Sequence, residues 1–141
     1  MSGPDISVVV PVYGGEKTVK PLYDRLAAVF AQLGKSFEVI YVHDASPDNS
    51  IATLRELHKS HDNVRVVDLY RNYGQQNALM CGFRFCTGDY IITIDDDIQN
   101  PPEEMPKLFA KLEEGYDAVI GHPLRSSMRH TRTSAAGPFA R

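Results

Sequence analysis

Hydrophobic positions along the chain follow two rhythms. Five short runs, Ile6 to Val12 (ISVVVPV), Phe37 to Val42 (FEVIYV), Val64 to Tyr70 (VRVVDLY), Tyr90 to Ile94 (YIITI) and Asp117 to Gly121 (DAVIG), have the length and β-branched content of buried strands. Between them apolar residues recur at three- and four-residue steps, as helices require. Val19, Leu22, Tyr23, Leu26, Val29, Phe30 and Leu33 mark the first helix and Ile51, Leu54 and Leu57 the second. Ala78, Leu79, Gly82, Phe83 and Phe85 mark the third, and Leu108, Phe109 and Leu112 the fourth. Gly34 is placed to close the first helix in a left-handed cap, and Gly88 and Gly115 to end the third and fourth. Ser50 or a neighbour is expected to cap the second helix. In Asn100-Pro101-Pro102-Glu103, Asn stands at N-cap, Pro at N1 and Glu at N3 of the fourth.

Strands alternating with helices at this spacing predict an α/β fold, a mostly parallel sheet with helices on both faces. Such folds bind ligands at the carboxyl ends of their strands. The loops Tyr13 to Glu16, His43 to Asp48 and Asp95 to Gln99 all emerge there. The length of 141 residues corresponds to one domain, large enough for a core and short for an enzyme that binds two substrates. Residues 1–121 form the expected folded unit. Residues 122–141 carry four arginines, no acid and little apolar periodicity, and read as a basic, poorly ordered tail.

Charge and composition narrow the partners. With 43% hydrophobic residues, 23% charged residues and a net charge of −3, nothing suggests nucleic acid. A phosphate-bearing ligand would therefore need a metal or a few placed cations. Cys81 and Cys86, both assigned to the third helix, lack metal partners at zinc spacing and read as reduced, packed thiols of a cytoplasmic protein. The amino terminus has no signal-peptide pattern, and no run approaches ~18 apolar residues, the length of a membrane span.

The chemistry concentrates where the fourth strand ends in Asp95-Asp96-Asp97. At ~4 Å each like-charge pair costs about 4 kcal/mol at an effective dielectric of 20. Solvation or a bound cation must offset this. Asp95, Asp97 and Gln99 alternate along an extended segment and can point the same way. Their oxygens suit Mg²⁺ or Mn²⁺, with positions left for water and substrate phosphates. Asp96 reads as a spectator of that clamp, and a plain reading remains in which Asp96 and Asp95 only cap the next helix. Asp44, at the end of the second strand, either meets a ribose or base edge or forms a turn. Tyr13 either stacks on a base or is a loop residue, Glu16 either accepts from the base or is a loop residue, and Arg71 either meets a phosphate or pairs with an acid. An EF-hand starting at Asp95 fails at Asn100 and Pro106, and Tyr13-Gly14-Gly15-Glu16 is no dinucleotide fingerprint. The five histidines form no metal pair on a helix, and no G-x-S-x-G elbow occurs.

Taken together, Val8-Val9-Val10-Pro11-Val12-Tyr13, Asp44-Ala45-Ser46-Pro47-Asp48-Asn49-Ser50, Arg71-Asn72-Tyr73-Gly74-Gln75, Thr87-Gly88-Asp89, Asp95-Asp96-Asp97-Ile98-Gln99-Asn100-Pro101-Pro102-Glu103-Glu104 and Glu114-Gly115-Tyr116-Asp117 resemble the family 2, GT-A-fold glycosyltransferases. Within them the pattern is similar to the polyisoprenyl-phosphate glycosyltransferases, the dolichol-phosphate mannose synthase and undecaprenyl-phosphate aminoarabinose transferase type. The resemblance covers roughly residues 6–121 and implies a GT-A, Rossmann-like nucleotide-sugar-binding domain, incomplete on its carboxyl-terminal, acceptor side. It implies that Pro11, Tyr13 and Glu16 line the base and ribose, that Asp44 grips the nucleobase, and that Asp95 and Asp96 adjoin the nucleotide sugar. Asp95 and Asp97 become the catalytic D-x-D pair, with Gln99 assisting at an Mg²⁺ or Mn²⁺. The implied reaction moves a sugar, with inversion, from a nucleotide-diphosphate donor to a lipid phosphate, with peripheral contact at the cytoplasmic face of a membrane. Such an acceptor is already anionic and needs little general-base help. His43 and Gly14 depart from the family pattern, which more often has aspartate and asparagine there. A truncated, inactive nucleotide-binding remnant, or a partner of a full-length transferase, is the alternative reading.

Overall fold

The computed structural model describes residues 2–122. Four strands, β1 (Ile6–Val12), β2 (Phe37–His43), β3 (Val64–Asp68) and β4 (Tyr90–Thr93), form one parallel sheet in the order β3-β2-β1-β4. Helices α1 (Val19–Leu33), α2 (Ser50–Ser60), α3 (Gln75–Phe83) and α4 (Met105–Glu113) alternate with them, as the two hydrophobic rhythms predict.

The sheet is covered on both faces because its central strands are apolar on both. Ile6, Val8, Val10 and Val12 of β1 pack with Leu22, Leu26 and Phe30 of α1, Leu54 of α2 and Phe109 of α4. Val9 of β1 and Ile40 and Val42 of β2 point the other way, onto Ala78 of α3. Each fully buried aliphatic side chain contributes about 1.5–3 kcal/mol. Gly34, at φ 63°, closes α1 in the expected left-handed cap.

Several boundaries differ from expectation. β3 stops at Asp68 rather than Tyr70, and α3 ends at Phe83, so Cys86 lies beyond it and Gly88 is not its terminator. Asn100 does not cap α4; a 3₁₀ turn (Pro102–Glu104) precedes the helix, and Glu103 reaches across to Arg25 of α1 in a two-pronged ion pair. Residues 117–121 are not a strand. A strand must find a ladder partner, the segment has none among the described residues, and Ile120 is left 79% exposed. The basic tail, residues 122–141, lies outside the described residues apart from His122.

β1 is longer than its pairing with β4. That ladder ends at Val9 opposite Thr93, with Ile94 N–H donating to Val9 O, while pairing with β2 continues to Val12. Pro11 occupies the overhang. By alternation its absent N–H would face β4, where the ladder has already ended, so proline costs no hydrogen bond there.

Candidate active site

The overhang opens a cleft of about 330 Å³ at the carboxyl ends of the strands. Pro11 and Tyr13 reach it from the end of β1, Asp44 from the end of β2, Asn72 and Gly74 from the loop after β3, Gln75 from the start of α3, and Asp95 to Asp97 from the end of β4. The structure thus brings together Pro11, Tyr13, Asp44, Asp95, Asp96 and Asp97. Glu16 and Gln99 do not line the cleft.

Most of the acids gathered here clamp backbone N–H groups. Asp44 is only 3% exposed, and its two oxygens accept from Tyr73 N–H at 2.8 Å and Gly74 N–H at 3.0 Å. Bonds of this charge-assisted kind are about twice as strong as neutral ones. Glu16 and Asp48 tie the first two loops reciprocally: Glu16 N–H donates to Asp48 at 3.1 Å, and the Glu16 carboxylate accepts from Asn49 N–H at 3.3 Å. Gly14 N–H adds a bond to the Ser46 hydroxyl at 2.8 Å. Asp48 also accepts from the Ser46 and Ser50 hydroxyls, both at 2.6 Å, and from Ser50 N–H. The start of α2 is therefore held by Asp48 rather than by a Ser50 side-chain cap. Burial pushes the Asp48 carboxyl up, but its hydrogen bonds from Ser46, Ser50 and the Glu16 backbone prevail and hold it at about 2.

Asp95 and Asp97 are different. Asp95 Oδ1 accepts from Gln75 Nε2 at 2.7 Å, and Asp97 Oδ1 accepts from Gln99 N–H at 3.0 Å. Neither Oδ2 has a hydrogen-bond partner among the described residues. These hard oxygens fit a divalent cation that keeps water and phosphate oxygens in its shell. Among the described residues no three His, Cys, Asp or Glu side chains converge on one point, so protein alone would not complete such a shell. Gln99 contacts Asp97 through its backbone N–H.

Asp96 is no spectator of the fold. Its Oδ2 accepts from Tyr13 N–H at 3.0 Å, across 83 positions of sequence. Burial raises its carboxyl above the ordinary value; the Tyr13 N–H opposes this, and the neighbouring Asp97 and Asp95 charges add to it. Ala45 (φ 52°) and Ile98 (φ 61°) are the non-glycine residues with left-handed backbone among those described. Each directly follows a cleft carboxylate, and such conformations cost of order 1–3 kcal/mol at functional sites.

His43 precedes Asp44 but serves the opposite face. Its ring is buried, Nδ1 bonds Asp68 at 2.9 Å, and Nε2 has no partner among the described residues. The loop after β3, from which the sequence offered only Arg71 as a phosphate candidate, also lines the cleft. Asn72 and Gln75 lie in the motif Arg71 to Gln75, but only the loops after strands one, two and four had been expected to converge. The parallel order itself was the available signal, since β3 also ends on this side. Arg71 stacks over the Tyr73 ring, 5.0 Å from its centre.

The family model for glycosyl transferase family 2 matches residues 7–137. Among solved structures, the chain is similar to the mannosyltransferase PcManGT of Pyrobaculum calidifontis in complex with GDP-Man and Mn²⁺ (TM-score 0.62, 23% identity, 73% of this chain and 30% of that one). It is also similar to S. aureus TarS 1-349 in complex with UDP-GlcNAc (TM-score 0.61, 25% identity, 78% and 31%). A third is the glucosyl-3-phosphoglycerate synthase of Mycobacterium tuberculosis with Mn²⁺, UDP-glucose and phosphoglyceric acid (TM-score 0.61, 27% identity, 80% and 40%). The chain spans 30–40% of the length of these structures. The four-stranded parallel sheet, its flanking helices and these likenesses identify the GT-A, Rossmann-like fold. With nearly its whole length matched by the family model, the chain belongs to glycosyl transferase family 2.

Proposed function

We propose that this chain is the donor-binding part of a glycosyltransferase that moves a sugar from a nucleotide-diphosphate sugar to a polyisoprenyl phosphate by inverting displacement. The observation that carries the donor half is that Asp95 and Asp97 each present an Oδ2 with no hydrogen-bond partner among the described residues, at the same cleft as Pro11 and Tyr13. In this reading Asp95 and Asp97 hold Mg²⁺ or Mn²⁺. The bound ion would neutralise charge on the diphosphate leaving group. Gln75 orients Asp95, and the Gln99 backbone orients Asp97. Tyr13, 57% exposed, offers a face to the base above Pro11. Asp44 and Glu16 shape the base and ribose end by clamping the loops around it. The lipid-phosphate acceptor and the membrane face rest on the subgroup motif Asp97 to Glu103.

Calorimetric titration of UDP and GDP with and without Mn²⁺ tests the clamp. Metal-dependent binding lost in Asp97→Ala is the expected result; equal binding by both proteins would refute it. The second reading is a nucleotide-binding remnant, or a partner of a full-length transferase, that does not turn over alone. Transfer of labelled sugar to a polyprenyl phosphate by the 141-residue chain would exclude that reading. Nucleotide binding without transfer would support it.

A further inference from the structure

Past Val9 on one side and Ile94 on the other, the sheet no longer joins β1 to β4. Among the described residues, one hydrogen bond then connects the segment carrying Pro11 and Tyr13 to the segment carrying Asp95 and Asp97: Tyr13 N–H to Asp96 Oδ2 at 3.0 Å. The same oxygen lies against Gly15, where a Cβ would come within 2.7 Å of it. Asp96 is thus seated on the backbone of the Tyr13 loop by a charge-assisted bond and by close packing. Its chain neighbours on both sides are the carboxylates proposed to hold the metal.

We infer that Asp96 is a positioning residue that couples cation binding at Asp95 and Asp97 to nucleoside binding at Tyr13. The inference rests on the donor-binding reading above. Linkage makes the effect reciprocal: a cation that settles the acidic turn improves nucleoside affinity, and a bound nucleoside improves cation affinity. An unphosphorylated nucleoside has no diphosphate to touch the cation. The direct metal–phosphate contact is thereby removed from the comparison, and loss of the cation effect in Asp96→Ala isolates the part carried by Asp96.

The test compares wild type with Asp96→Ala, Asp96→Asn and Gly15→Ala, each checked for fold by far-ultraviolet circular dichroism. Uridine and guanosine are titrated by NMR with and without Mg²⁺, and hydrogen exchange is followed at the Tyr13 amide. In wild type, Mg²⁺ is expected to tighten the preferred nucleoside by about fivefold to tenfold. Asp96→Ala should remove that enhancement and the amide protection. Asp96→Asn keeps an acceptor oxygen and should restore both. Gly15→Ala should reproduce the alanine phenotype by displacing the carboxylate. Tyr13 protection in Asp96→Ala equal to wild type would overturn the inference, whatever the protein binds. Absence of UDP and GDP binding by wild type with Mn²⁺, with Tyr13 protection still dependent on Asp96, would instead overturn the donor-binding reading and leave the structural coupling standing.

Discussion

Glu38 provides a severe test of how the sheet is held at the end opposite the cleft. It is 5% exposed and lies opposite Ser7 in the β1–β2 ladder. Oε1 accepts from the Ser7 hydroxyl at 2.7 Å, Thr87 N–H at 2.7 Å and the Thr87 hydroxyl at 2.8 Å, while Oε2 faces Arg65 at 3.4 Å. Glu38→Ala removes the acceptor for three donors. Hydrogen bonds to a charged group are worth about 1.5–3 kcal/mol each but do not add when they share one atom. Thr87 N–H can also fall back on the Ser7 oxygen at 3.2 Å. The expected loss is therefore about 3 kcal/mol, a large share of the 5–15 kcal/mol typical of a domain. Glu38→Gln retains an oxygen acceptor and should lose about 1 kcal/mol. Urea unfolding followed by far-ultraviolet circular dichroism, with unchanged slope, measures both. Because the clasp lies away from the cleft, folded Glu38→Ala should bind nucleotide with wild-type affinity. A stability change below about 1 kcal/mol in Glu38→Ala would refute the reasoning.

Two further outcomes follow from neighbouring geometry. Gly88→Ala places a Cβ 2.7 Å from Ser7 N and 2.8 Å from the Ile6 carbonyl carbon, where no flexible side chain can yield; thermal unfolding should show a loss of about 1–3 kcal/mol or more. Asp48 links stability to acid: its carboxyl sits at about 2, below the ordinary 3.8, so its contribution is complete above pH ~4 and disappears as the pH falls through ~2. After allowance for solvent screening this amounts to about 1–2 kcal/mol. Comparing Asp48→Asn with wild type across that window should show the difference shrinking toward low pH, and a constant difference would contradict the assignment.

What the sequence determined by itself is mostly local. The β-branched runs and the three- and four-residue apolar steps located four strands and four helices, because burial of a face imposes its period directly on the chain. The Gly34 cap was legible for the same reason: its cause lies within one turn. The acids at strand ends were visible as candidates, since a parallel sheet carries all of them to one edge. Their division of labour was not visible. Whether a carboxylate faces a ligand or clamps a backbone N–H depends on which donor arrives beside it. Those donors come from far along the chain, 29 and 30 positions from Asp44, 49 from Glu38 and 83 from Asp96. The Thr87-Gly88 turn likewise stops no helix. It closes on Glu38 and Ser7, a contact that exists only once β1 and β2 are paired. Residues 117–121 show the converse: a pattern fit for a strand remained coil among the described residues, because a ladder needs a partner that the chain's own local preferences cannot supply.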